Sequence, residues 1–136
     1  MLQQISVFLE NRAGRLNEMT EALAMQNVDL RALNIAETSD YGLARIIADD
    51  TDKAAAVLKE EGALFSVDRV VAAEVPDVPG GLNGILKEIA AAGIDINYMY
   101  SGFGRRDGQA VMIFRVAEPG RLEQVLLGSG ISPIEY

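Results

Sequence analysis

An internal repeat constrains the fold of this chain more than any other feature of its sequence. Gly80 lies 66 residues after Gly14, and the same offset brings similar residues together at several other positions. The matched pairs are Leu16 and Leu82, Val28 and Ile94, Asp29 and Asp95, Leu30 and Ile96, and Gly42 and Gly108. Farther along, the offset is 68, which matches Val57, Leu58 and Gly62 with Val125, Leu126 and Gly130. Such self-similarity indicates one structural unit that occurs twice.

Each copy has the pattern strand, helix, strand, strand, helix, strand. Apolar residues alternate in the predicted strands and recur every three or four residues in the predicted helices. In the first copy we predict strands near 3–9, 28–37, 42–48 and 64–70, with helices near 14–26 and 52–61. In the second copy we predict strands near 70–76, 94–102, 109–116 and 131–135, with helices near 80–92 and 119–128. Asp and Gly predict hairpin turns at SDYG (39–42) and RRDG (105–108).

This order predicts an α+β protein made of two ferredoxin-like βαββαβ repeats. In each repeat a four-stranded antiparallel sheet carries two helices on one face. We place the first domain at 1–69 and the second at 70–136. The junction FSVDRVVAAEV (65–75) contains neither Gly nor Pro, so we expect one strand to continue directly into the next.

Composition excludes several classes of function. The 136 residues include 20 Asp and Glu against 12 Lys and Arg, and the formal net charge of −8 disfavours nucleic-acid binding. The chain has no histidine, which is the commonest general base, and no cysteine for a thiolate nucleophile or a zinc site. We therefore expect a protein that is not an enzyme and that uses no cofactor or metal. No segment resembles a membrane span or a signal peptide, so we expect no membrane partner and a cytoplasmic location.

Two acidic or glycine-rich segments have ordinary structural explanations. Asp49, Asp50 and Asp52 could suggest a cation site, but their position just before a predicted helix favours capping. GFGRRDG (102–108) matches neither phosphate-loop spacing, and it lies between two hairpin strands, so we interpret it as a turn.

The loops between the first strand and first helix of each copy are candidate anion sites. A helix begins there with unpaired N–H groups and the positive end of its dipole. Gly14 and the Gly80–Gly81 pair carry no Cβ, so a carboxylate could approach the backbone at 12–16 and 78–82. The alternative is that these glycines serve only the turn. Asn11 and Asp77 occupy equivalent positions and are candidates either for ligand contact or for capping the helix.

The two candidate sites differ in the strand that follows the first helix. Simple alternation places Ile94, Ile96, Tyr98 and Tyr100 on one face of the second-copy strand, with Asn97, Met99 and Ser101 on the other. The first copy has Ala32 and Asn34 where the second has the two tyrosines. The tyrosines are candidates for core packing or for ligand contact.

VFLENRAGRL and AEVPDVPGGL, together with the doubled βαββαβ order and the two hairpins, resemble the ACT domain family. Its members carry the motif D-x-P-G-x-L after a first strand. The match covers essentially the whole chain as a tandem pair, although the first copy has Asn11 in place of Asp and Ala13 in place of Pro. With 136 residues we expect a stand-alone protein without an attached catalytic domain.

The resemblance implies domains that pair sheet to sheet and hold a small ligand, usually an amino acid, between a loop of one domain and strands of its neighbour. Carried over by position, it implies ligand-facing loops at Asn11, Arg12, Ala13, Gly14, Arg15 and Leu16, and at Asp77, Val78, Pro79, Gly80, Gly81 and Leu82. It implies readers of the ligand side chain at Asn97, Tyr98, Met99 and Tyr100, whose character favours a large apolar or aromatic amino acid.

The leading hypothesis is therefore a non-catalytic, allosteric sensor or regulatory protein that binds an amino acid at ACT–ACT interfaces. We expect it to form a homo-oligomer, most simply a homodimer, and to act on a partner enzyme. A ligand-free oligomerisation or interaction module is an alternative. A small ferredoxin-like hydrolase that uses Arg12 or Arg15 with Asn11 on an acyl phosphate is a third, disfavoured by the missing His and Cys.

Overall fold

The computed structural model describes residues 1–37, 40–104 and 107–135 and divides into two compact units. The first unit comprises residues 3–68, and the second comprises residues 69–136 together with Met1 and Leu2. The grouping of the first two residues with the second unit has no signal in the sequence pattern.

Eleven elements follow one another along the described chain and confirm the α+β class and the doubled βαββαβ order. They are β1 (Leu2–Glu10), α1 (Arg15–Met25), β2 (Leu30–Glu37), β3 (Tyr41–Ala48), α2 (Thr51–Glu60), β4 (Phe65–Pro76), α3 (Gly81–Ala91), β5 (Ile96–Ser101), β6 (Gln109–Val116), α4 (Pro119–Gly128) and β7 (Pro133–Ile134). β4 is one unbroken strand where two consecutive strands were predicted. Of the predicted hairpin turns, Ser39, Arg105 and Arg106 lie outside the described residues.

In the first unit, β3 lies between β1 and β2 and pairs antiparallel with both. On the other side of β1, the Phe8 N–H donates to the Leu64 carbonyl at 2.9 Å, just before β4 begins. Alternate β1 residues Ile5, Val7 and Leu9 point into a core that contains the buried residues of α1 and α2. Since α1 also contacts α2, both helices cover the same face of this sheet.

The second unit repeats this arrangement with the strand order β7, β4, β6, β5, and every neighbouring pair is antiparallel. Its core joins alternate residues of β4 and β6 with the inner sides of α3 and α4. The buried members are Val71, Ala73, Val75, Ile85, Ile89, Phe114, Val116, Leu122 and Leu126.

A register shift in β5 corrects the predicted faces of that strand. Ile96 pairs with Val116 and Tyr98 with Arg115, so one extra residue lies between them on β5. Because of this bulge, Ile96 packs against the helix-side core together with Met99, and the pair formed by Tyr98 and Tyr100 lies on the opposite face. The prediction that Ile94 and Ile96 share a face with the tyrosines was wrong, since it assumed unbroken alternation.

The acidic segment before α2 caps that helix. The Asp50 carboxylate accepts a hydrogen bond from the Lys53 N–H at 3.0 Å, and Asp49 accepts one from the Asp29 N–H at 3.0 Å. No group of three or more acidic side chains suited to a metal occurs in the parts of the chain that the structure describes. Within those same ranges, no helix is long and apolar enough to cross a membrane.

Candidate functional site

Both units begin their first helix from the same tight turn. Gly14 has φ 84° and ψ −6°, and Gly80 has φ 83° and ψ −6°. These angles match the third residue of a type II turn, about +80° and 0°, a conformation that favours glycine. The turn is closed by the Arg15 N–H donating to the Arg12 carbonyl at 3.3 Å, and by the Gly81 N–H donating to the Val78 carbonyl at 3.0 Å. The turn therefore forms with Ala13 before the glycine as well as with Pro79.

The glycines themselves occupy the caps of the two helices. Gly14 and Gly80 are the N-cap residues of α1 and α3, and neither helix has a side-chain cap hydrogen bond. Asn11 and Asp77 therefore do not occupy the N-cap positions of these helices. Since the Glu18 N–H makes the first α-helical bond, to the Gly14 carbonyl at 2.9 Å, the earlier N–H groups of the first turn carry the positive end of the dipole.

In the first unit this turn opens onto a cavity of about 240 Å³. The cavity is lined by Leu9, Glu10, Asn11, Arg12, Arg15, Leu16, Ile35 and Gly42. Four of these, at positions 11, 12, 15 and 16, are among the residues predicted from the sequence. The others come from the neighbouring strands, because Leu9 pairs with Gly42 and Ile35 pairs with Ala44. Ile35 and Leu16 are 45% and 37% exposed, so apolar surface is open to an incoming ligand.

Ion pairs hold both arginines of this loop. Arg12 donates to the two carboxylate oxygens of Glu18 at 2.9 and 2.7 Å, and Arg15 Nε donates to Glu10 at 2.6 Å. The hydrogen bond from Arg12 holds the pKa of Glu18 below its ordinary value and raises the pKa of Arg12 in return. The hydrogen bond from Arg15 lowers the pKa of Glu10. The charged side chains of the loop are thus paired with one another, and an ionic ligand has to replace one partner of a pair in order to bind.

We expect Glu10 and Glu18 to titrate below the ordinary value of 4.5 in a carboxyl NMR titration. Both pKa values are depressed by folding. The ion pairs therefore contribute stability above about pH 4.5, the ordinary Glu value, and lose it as pH falls through the folded-state pKa. Arg12→Ala should return the pKa of Glu18 toward 4.5, because its first hydrogen-bond donor is gone. Arg31→Ala is the control, since Arg31 pairs with Asp29. An unchanged Glu18 midpoint in Arg12→Ala would contradict this account.

In the second unit, the loop at 77–82 is hydrogen-bonded to the turn that precedes β6. The Asp77 N–H donates to the Gly108 carbonyl at 2.8 Å, while Val78 is 60% exposed on the outside of the loop. A Cβ at Gly80 would meet no atom within 4 Å, so the turn is open to solvent there, as it is at Gly14.

The backbone of the loop leaves no room for a side chain at position 81. A Cβ at this position would lie 1.9 Å from the Pro76 carbonyl oxygen. Glycine is therefore needed at position 81 because the Pro76 backbone lies against it, and not, as predicted, to leave room for a ligand. At the equivalent position the first copy has Arg15, whose side chain pairs with Glu10.

The four residues on β5 that were predicted to contact the ligand side chain do not lie together. Asn97 lines a separate cavity of about 240 Å³ with Asp95, Glu118 and Arg121, where β5 begins and β6 has ended. The loop at 77–82 adjoins the opposite end of β6, because Pro76 pairs with Gln109. Asn97 therefore lies at the far end of the sheet from that loop.

Of the other three predicted residues on β5, only Tyr98 and Tyr100 lie on the same face of the sheet. Met99 packs against the helix-side core. Tyr98 and Tyr100 form a stacked pair on the other face, with ring centroids 6.5 Å apart and planes 22° apart. Tyr100 is 7% exposed, so in this unit Tyr98 offers the more accessible ring.

Residues 1–135 match the family model described as an ACT domain pair. The chain belongs to the ACT domain pair family. The resemblance drawn from the two loop motifs and the repeat is thereby confirmed. Among curated proteins nothing matches.

Solved structures give the same ACT domain pair architecture. A protein from Bacteroides thetaiotaomicron is 38% identical, with a TM-score of 0.91 and coverage of 98% of this chain and 91% of that one. The regulatory subunit of aspartate kinase from Thermus thermophilus, in a ligand-free form, is 11% identical, with a TM-score of 0.69 over 93% and 90% of the two chains. The corresponding subunit from Thermus flavus is 14% identical, with a TM-score of 0.67 over 95% and 91%. At such low identities the two aspartate kinase subunits show the shared fold alone.

Proposed function

We propose that this ACT domain pair is a non-catalytic regulatory protein that binds a free amino acid at the turn before α1. The observation that carries the proposal is the cavity of about 240 Å³ at that turn, which collects acidic, basic and apolar groups. A free amino acid presents the three complementary features, namely an ammonium group, a carboxylate and a side chain. Membership of the ACT domain family supports a regulatory, ligand-binding role.

The lining suggests how each part of the ligand is held. The ligand carboxylate lies at the first turn of α1, where the dipole is positive and Arg12 and Arg15 supply guanidinium groups. The ammonium group is received by the Glu10 carboxylate and the Asn11 side-chain oxygen, the latter a good acceptor. An apolar side chain then packs on Leu16 and Ile35, which are both open to the cavity.

Binding in this mode is an exchange of ion pairs. The ligand carboxylate replaces Glu18 on Arg12, and the ligand ammonium shares Glu10 with Arg15. Both resident pairs are exposed on at least one side, and solvent-exposed ion pairs contribute little to stability. Their rearrangement therefore costs little, so the ligand does not have to overcome a buried salt bridge.

The second loop, at 77–82, is proposed as a weaker or differently selective site. It has Val78 and Gly81 where the first loop has its arginines, so a carboxylate there relies on backbone N–H groups near Gly80. Tyr98 and Tyr100 pair with Arg115 and Ile113, farther along β6 from this loop, so their stacked rings are not included in the second site.

For regulation, the ligand has to favour one assembly of the protein over another. A ligand shifts such an equilibrium only by its difference in affinity for the two states. We propose a homodimer that responds to the amino acid and acts on a partner enzyme in the cytoplasm. Support for the partner enzyme comes from fold neighbours that are regulatory subunits of aspartate kinase. The hydrolase alternative is disfavoured by the sequence, which has no His for a general base and no Cys for a nucleophile.

The proposal is tested by screening all proteinogenic amino acids against the intact chain, first by thermal shift and then by titration calorimetry. Since a ligand specific to the folded state raises stability, we expect one or a few apolar amino acids to raise Tm and to give saturable heats. Their des-amino and amide analogues serve as controls, because each removes one charged end of the same molecule. If no amino acid binds, the ligand-free interaction module becomes the preferred function.

A further inference from the structure

A second cavity in the first unit, of about 430 Å³, lies on the other side of β1 from the helix-side core. Phe8, Leu9, Glu10 and Asn11 line it, and Leu9 also belongs to the helix-side core. The remaining walls come from the start of β3 and from the segment 62–64 between α2 and β4. The cavity shares Leu9, Glu10 and Asn11 with the cavity at the turn before α1.

Aromatic and aliphatic surface forms its inner wall. The rings of Phe8 and Tyr41 are in contact, with centroids 5.2 Å apart and planes tilted by 57°. They are 37% and 39% exposed, and Leu64 beside them is 69% exposed. The Phe8 N–H donates to the Leu64 carbonyl at 2.9 Å, which fixes Leu64 next to the rings. Large apolar side chains are thus held open to solvent by the backbone hydrogen bonds of the sheet.

The charged residues that line this cavity are Glu10 and Asp40, and both are acidic. Arg15 pairs with one oxygen of Glu10, so Glu10 is partly neutralised and its pKa is lowered. Asp40 adds a negative charge at the rim of the aromatic wall. A carboxylate-bearing ligand would therefore be repelled, whereas a cation would be attracted both to the carboxylates and to the negative faces of the rings.

We propose that this cavity binds a small organic cation, an alkyl- or arylammonium compound that carries no carboxylate. Its apolar body lies against Phe8, Tyr41 and Leu64, and its ammonium group lies toward the carboxylates of Asp40 and Glu10. The volume is within the range of roughly 300 to 1,000 Å³ typical of small-molecule sites. The ligand class differs from that of the loop cavity, which offers cationic groups as well as anionic ones.

Three probes of nearly equal shape test the charge requirement by calorimetry or NMR titration of the intact chain. They are 2-phenylethylammonium, 2-phenylethanol and 3-phenylpropionate. We expect the ammonium compound to bind at least about tenfold more tightly than the alcohol, because a charge-assisted hydrogen bond is added. We expect no measurable binding of the carboxylate.

Variants locate the site. Asp40→Asn should weaken ammonium binding about tenfold by removing the rim charge. Asp52→Asn, the same change at an exposed position in the first turn of α2, should leave the affinity unchanged. Circular dichroism checks that each variant is folded.

Three results would overturn the proposal. Equal affinity for the ammonium compound and the alcohol would show that the cavity does not recognise charge. Wild-type affinity in Asp40→Asn would place the ammonium elsewhere. If no probe binds, and Phe8→Ser lowers the self-association measured by sedimentation, the apolar wall is a protein interface instead.

Discussion

Replacing Gly81 by alanine is expected to lower the free energy of unfolding of the second unit by about 3 kcal/mol, near the upper end of the usual cost of overpacking. The new Cβ would lie 1.9 Å from the Pro76 carbonyl oxygen and 2.9 Å from the carbonyl carbon. Both atoms belong to the backbone, so no side chain can rotate away to relieve the contact. Relief requires a shift of the turn at 78–81, which carries the start of α3 with it.

Gly84→Ala is the matched control for this substitution. Gly84 lies in the same helix, and a Cβ there would meet no atom within 4 Å. Alanine at a helical glycine without steric conflict is expected to add about 0.5 to 1 kcal/mol of stability. Urea unfolding followed by circular dichroism should therefore give effects of opposite sign. Wild-type stability in Gly81→Ala would show that the close approach to Pro76 is not maintained in solution.

The second large effect concerns binding. Gly14→Asp is expected to weaken the amino acid found by the screen about a hundredfold, because an anion placed beside the ligand carboxylate repels it where the dipole would otherwise attract it. Position 14 has φ 84°, so any side chain there is strained, although Asp and Asn tolerate this conformation better than other residues. A Cβ at this position meets nothing within 4 Å, so we expect the variant to fold.

Gly14→Asn separates charge from shape. It introduces the same number of side-chain atoms and nearly the same backbone strain, but no charge. We expect it to retain most of the affinity that Gly14→Asp loses, and calorimetric titration of both variants measures the difference. Equal losses would mean that the turn is sensitive to crowding alone. Unchanged affinity in both would remove the first loop from the site.

The repeat was sufficient to predict the fold class and the order of the elements. Gly14 and Gly80 each begin a helix, and the hydrophobic periods on both sides have the lengths of strands and helices. The bulge between Ile96 and Tyr98 was not predictable from alternation, because a bulge changes which face a residue takes without changing the composition of the strand. The predicted faces of β5 failed at that point.

The candidate site was predictable only in its loop. Asn11, Arg12, Arg15 and Leu16 are consecutive or nearly so, and a local motif is enough to find them. Ile35 and Gly42 reach the same cavity through strand pairing, and no local pattern specifies the register of β2 and β3. Glu10 was missed for another reason, since its role depends on an ion pair with Arg15 that only the folded loop creates. Asn97 was carried over by position from the family resemblance, yet it lines another cavity.

The unbroken strand β4 affects how such a chain can change over generations. Its residues 65–68 belong to the first unit and its residues 69–76 to the second, while Met1 and Leu2 also group with the second. A recombination event between codons 68 and 69 would separate Met1 and Leu2 from the rest of the second unit, and it would leave each product with part of a strand. The two halves of the gene are therefore expected to be inherited together, although their loops are free to diverge in sequence and in ligand preference.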